Sequence, residues 1–237
     1  MNFGPRLIGV FTNPRETFSS LAEKPVWVDA LILVLVASFA FNFLIAPYSA
    51  RDSYEMLQGS TKLKQQLGEE RFNTMLEQAR KKAENLTTPA RISQSLLGSA
   101  SIIIILMLQT LLLLVLTKFF STQGSYVQLL SAMLHASFIN VLLGNGLRAF
   151  LASSKQSIFK VSTGLAAFFP HLEPTSSAYL ILTNIDIFQL WMFGVLGYAL
   201  SAIFKLDLKK SLFISYLFWL LKTIVNIGLG IFSFSRI

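Results

Sequence analysis

The 237 residues contain no cysteine, which excludes disulfides, thiolate metal sites and cysteine nucleophiles. Charge is also scarce. Asp, Glu, Lys and Arg make up 14% of the chain, where an ordinary soluble domain carries about 25%. The two histidines, His135 and His171, have no carboxylate cluster beside them that would complete a three-ligand metal site. No glycine-rich phosphate loop, GxSxG or HExxH pattern occurs. Glu69-Glu70-Arg71 has the wrong arginine spacing for a membrane protease and lies in a loop. No residue set supports catalysis, so a non-enzyme without cofactor is expected.

What the chain has is apolar mass. Hydrophobic residues make up 53% of it and the mean hydropathy is +0.58. They fall in long blocks, the mark of an all-α polytopic membrane protein, read here as one domain over residues 1–237. The net charge is +8. With no basic module outside the apolar blocks, nucleic acid is excluded as a partner, and the cations are assigned to anionic lipid headgroups.

Charges interrupt residues 1–25, which therefore do not read as a signal peptide. Asn13-Pro14-Arg15-Glu16 has the form of a helix start, with Asn13 as N-cap, Pro14 at the first helical position and Glu16 as capping-box partner. A cytoplasmic interfacial helix and a surface linker both fit this segment. Five spans follow, at about 26–46, 92–117, 126–147, 179–204 and 211–234, with Pro47 closing the first. Each is near the twenty residues that cross a bilayer core. His135 in the third span reads as a packed, hydrogen-bonded histidine rather than a proton relay.

Between the first two spans, residues 48–88 are polar. Met56, Leu63, Leu67, Phe72, Met75, Leu76 and Ala79 recur at three- and four-residue steps, which predicts two helices broken near Gly68. Glu77 with Lys81, and Arg80 with Glu84, are spaced for i,i+4 pairing. A solvated helical cover and a docking surface for a protein partner both fit. On the second reading Phe72, Met75, Lys81 and Lys82 form the docking face.

The last two spans form an antiparallel hairpin about the basic turn 205–210. Polar groups lie inside it: Asn184, Asp186 and Gln189 on one arm, Lys222 and Asn226 on the other. Ionisable groups at membrane depth require partners. Asp186, Gln189, Lys222 and Asn226 are expected to form one intramembrane polar seam, with Asp186 reaching Lys222 directly or through Gln189 or Asn226; the alternative that stays open is Asp186 in headgroup water and Lys222 on backbone carbonyls or lipid phosphate. Gly197 and Ser201 make a small-xxx-small pair for close helix packing.

Three stretches carry a family resemblance. They are Phe11-Thr12-Asn13-Pro14-Arg15-Glu16-Thr17-Phe18 with Pro25, then Gly124-Ser125-Tyr126-Val127-Gln128-Leu129-Leu130, and Asn184-Ile185-Asp186-Ile187-Phe188-Gln189-Leu190-Trp191 followed by Gly197 and Lys209-Lys210. In order and spacing the chain resembles the bacterial branch of the Yip family. The resemblance covers nearly the whole chain, least well residues 48–88. The proline it implies within the third span is absent, with Ile139-Asn140 nearby instead. The long cytosolic arm of eukaryotic members is absent too, so Rab-type GTPase binding does not carry over.

The resemblance implies five spans, a cytoplasmic N-terminus and an external C-terminus in the bacterial inner membrane. Positive-inside counting points the other way, because Arg51, Lys62, Lys64, Arg71, Arg80, Lys81, Lys82 and Arg91 all fall in the first connecting loop. The orientation implied by the family is adopted. The resemblance further implies a non-catalytic accessory subunit beside an ABC-type exporter, with lipids and transporter subunits as partners. Two other functions stay open on the residues: a small independent transporter or channel using the intramembrane polar groups, and membrane shaping by shallow helices.

Overall fold

The computed structural model describes residues 2–234. Five helices are long and apolar enough to cross a membrane: Val28–Gln58, Thr88–Lys118, Tyr126–Lys155, Ile187–Phe204 and Leu208–Ser233. The chain is a multi-pass membrane protein. Among the described residues there is no strand, and a single antiparallel bridge joins Gly164 and Asp186.

Contacts divide the chain into two compact units, residues 1–38 with 98–145 and 187–223, and residues 39–97 with 146–186 and 224–237.

In the first unit, α1 (Phe3–Thr12) and α2 (Pro14–Glu23) precede the start of the first span. Pro14 takes the first helical position of α2, but the Asn13 side chain does not cap it. The Asn13 amide donates instead to Glu16, at 2.6 Å. The apolar face of α2 is not laid on a membrane surface. Phe18 and Leu21 are fully buried, because α2 packs on α7 (Tyr126–Ala136) and α10 (Ile187–Phe204). A capping box of Ser125 and Gln128 starts α7, and the Gln128 amide also donates to the Ala22 carbonyl at the end of α2, at 2.7 Å. Gly124 leads into α7 with φ +79°, and a Cβ there would meet the Phe204 ring at 2.6 Å. Both backbone and packing therefore require glycine.

After α7 the third span passes through a π-helical turn, Ile139–Gly144, before α8 (Asn145–Lys155). The span is irregular without a proline; π-turns interrupt helices in this way. On α10, Gly197 lets α11 (Leu208–Phe234) approach, since a Cβ would lie 2.5 Å from Leu212. Ser201 does not join that interface: its hydroxyl donates to the Leu206 carbonyl at 2.8 Å and closes the hairpin turn.

α3 (Val28–Gln58), which belongs to the second unit from Phe39 onward, does not stop at Pro47 but runs through it. Its 31 residues reach about 46 Å at about 1.5 Å each, well beyond a hydrocarbon core of about 30 Å. Proline has no N–H for the carbonyl four residues back. Arg91, on α6 (Thr88–Lys118), makes good that loss: its Nε donates to the Phe43 carbonyl at 2.5 Å while its guanidinium lies 3.8 Å from the Phe43 ring centre. The polar segment then forms α4 (Thr61–Leu67) and α5 (Glu69–Glu84), broken at Gly68, whose φ is +78°. The Lys81–Glu77 and Arg80–Glu84 pairs form at 3.8 and 3.2 Å, both exposed. α9 (Ser177–Asn184) ends just ahead of Asp186, so the stretch 179–204 is two helices rather than one.

Candidate functional site

Each unit holds its own set of buried charges. In the second unit, Arg148 on α8, Thr163 and Asp186 form a triad. The Arg148 guanidinium donates to the Asp186 carboxylate at 2.9 Å and to the Thr163 hydroxyl at 3.0 Å. Thr163 in turn donates to the same carboxylate. The Asp186 side chain is 6% exposed and that of Arg148 20%. Such a group keeps its charge only with good pairing, and removing one partner from a buried pair typically costs about 3–5 kcal/mol.

The backbone explains why Asp186 sits there. Gly164 runs antiparallel to Asp186, and the Leu165 amide donates to the Ile185 carbonyl at 3.1 Å. A Cβ on Gly164 would lie 2.6 Å from the Thr183 carbonyl oxygen and 2.9 Å from that of Leu182. This approach is open to glycine alone, and it occupies the backbone groups that would otherwise continue α9 as a helix. Ser162 and Thr183 share a further hydrogen bond of 2.9 Å across the same contact.

Of the four seam residues, the first unit brings two together. The Lys222 ammonium donates to the Gln189 side-chain carbonyl at 2.7 Å and lies 5.4 Å from the Phe193 ring centre. Asp186 has Arg148 and Thr163 as partners, and Asn226 lies on an exposed face of α11. Of the four docking residues, Phe72 is turned inward and 5% exposed. Its ring serves packing, so it is withdrawn from the docking face. Met75, Lys81 and Lys82 remain exposed, and Met75 and Lys82 share a face at i,i+7.

Several charged contacts were not foreseen from the sequence. Arg6, buried on α1, is paired with Asp29 at the start of α3. Asp52, also buried, accepts the backbone N–H groups of Ile158 and Phe159 at 2.6 and 3.0 Å. Arg148 lies in the last turns of the third helix and Asp186 immediately before the fourth, so chain order puts both toward the same end of the two spans; that was the signal available for the triad. His135 is wholly buried against Phe138, with Nδ1 2.8 Å from the Ser131 carbonyl. A carbonyl only accepts, so Nδ1 carries the proton. This is the packed histidine expected.

A family model described as the Yip1 domain matches residues 8–230. No curated protein and no solved structure matches the chain.

Proposed function

From its membership of the Yip1 domain family, to which the chain belongs over residues 8–230, we propose that it is a non-catalytic accessory subunit of a membrane transport complex. Transporter subunits of the ABC-exporter type, in the same membrane, are its partners, and lipids surround the rest. It lies in the bacterial inner membrane with the N-terminus cytoplasmic and the C-terminus outside.

One observation carries this reading. The buried and half-buried charges are engaged by groups that hold helices together: Arg6 by Asp29, Asp186 by the half-buried Arg148, the half-buried Lys222 by Gln189, and Asp52 by two backbone amides. Charges locked in structural pairs do not serve as a proton relay or ion path, which needs groups free to exchange partners. The exposed face of α5, which carries Met75 and Lys82 two turns apart, is the surface we assign to the partner.

The test is purification from native membranes in mild detergent. A transporter subunit in fixed stoichiometry supports the reading, and its loss on charge reversal at Lys81 and Lys82, with the chain still inserted, places the contact on α5. Recovery of the chain alone, active in solute flux after reconstitution, would overturn it.

A further inference from the structure

The connection between α8 and α9 is held by side-chain clamps and forms an open cavity. Asp52 binds the amides of Ile158 and Phe159, the Tyr179 hydroxyl donates to the Phe159 carbonyl at 3.0 Å, and the Lys155 ammonium donates to the Lys160 carbonyl at 3.0 Å. Below these clamps lies a cavity of about 540 Å³ lined by Lys155, Lys160, Ala166, His171, Glu173 and Tyr179, among others. Lys160 is exposed, and its ammonium makes no hydrogen bond or ion pair among the described residues. Lys155 uses one of its three donors. The lining thus carries two lysines against one carboxylate, that of Glu173.

The cavity wall is also a membrane-seeking element. The 3₁₀ turn Leu165–Phe168 contributes Ala166 to the cavity and presents its other side outward. There Phe168 is 79% exposed, with Leu165 and Phe169 each 41% exposed. This turn lies on the connection between the third and fourth spans, on one side of the membrane. Aromatic groups at the membrane interface enter the apolar layer.

We propose that this cavity is a headgroup site for an anionic phospholipid. Lys155 and Lys160 take the phosphate, Glu173 accepts from a headgroup hydroxyl, and Phe168 and its neighbours lie among the acyl chains. The cations and the apolar wedge lie within one short stretch of chain, residues 155–169, which suits an amphiphile better than a soluble anion.

The probe is fluorescent phosphatidylglycerol bound to the full chain in mild detergent, with phosphatidylcholine and inorganic phosphate as competitors. Phosphatidylglycerol should compete well and the other two poorly. Each lysine near an anionic surface is worth about fivefold in affinity, so Lys160→Gln should weaken binding about fivefold and Lys155→Gln/Lys160→Gln about twenty- to thirtyfold. Lys155 also clamps the loop, so Lys160→Gln is the deciding variant. Phe168→Ser should weaken lipid binding with the thermal midpoint unchanged. Wild-type affinity in Lys160→Gln, or displacement by inorganic phosphate as effective as by unlabelled lipid, would overturn the proposal.

Discussion

Replacing Arg148 by methionine removes the guanidinium and keeps an apolar stem of similar length. The Asp186 carboxylate, 6% exposed, is then left with the Thr163 hydroxyl from the triad. Leaving a buried charge without its ion partner should cost about 3–5 kcal/mol. Asp186→Leu strands the other partner, but Arg148 is 20% exposed and its long stem can turn the head toward water. That loss should be smaller, about 2 kcal/mol. The double variant buries no charge, and apolar replacement of a whole pair is often close to neutral, so about 1–2 kcal/mol is expected.

The singles therefore sum to about 5–7 kcal/mol, and the coupling is about 3 kcal/mol or more in favour of the double variant. For a chain of this size about 1 kcal/mol moves the midpoint by about 2–4 °C. Arg148→Met should lower it by about 10 °C, and adding Asp186→Leu should recover more than half of that. The assay is thermal unfolding of the three variants in mild detergent, with monodispersity checked by size exclusion. A double variant that loses the sum of the two singles would refute the reasoning.

Arg91→Met should destabilise by about 1–3 kcal/mol, because the Phe43 carbonyl is left unpaired; in a Pro47→Ala background, which restores the helical N–H, the same change should cost clearly less, as thermal unfolding will read. Gly197→Ala should cost about 1–3 kcal/mol by pushing Leu212 away, and equal midpoints for the two proteins would show that α11 does not depend on that approach. The Glu69 carboxyl is held below its usual range by hydrogen bonding to Lys64, and then by the Lys64 charge. A depressed pKa means the pairing is present at neutral pH and lost as pH falls through the folded value, so protection of the amides at residues 64–69, corrected for intrinsic exchange, should fall at acid pH, and Glu69→Gln should abolish that fall. With no native cysteine, Gln66→Cys should label from outside and Lys209→Cys only after the membrane is opened; the reverse pattern would invert the orientation.

The spans were legible because long apolar runs dictate them. Their irregularities were not, because distant residues cause those. Pro47 reads as a helix end until Arg91, 44 residues on, replaces the missing donor to Phe43. The break before Asp186 depends on Gly164, which sits in a loop that carries no periodic signal. The break at Gly68 was local and could be read locally, whereas the capping box of Ser125 and Gln128 was equally local and went unread. The N-terminal amphipathic face fitted a membrane surface equally well, because sequence does not distinguish lipid from the sides of α7 and α10 as its apolar counterpart. Lys222 was recognised as needing a partner, and Gln189 was among those considered. Asp186 needs a partner for the same reason, while Arg148 carries no sequence signal that singles it out as that partner.

A photo-crosslinking residue at Met75, on the exposed face of α5, tests the central claim most directly in native membranes. The account predicts one defined protein adduct, a transporter subunit of the same membrane, that disappears with charge reversal at Lys81 and Lys82. Adducts to lipid and to the chain itself, with no transporter subunit among them, would contradict it.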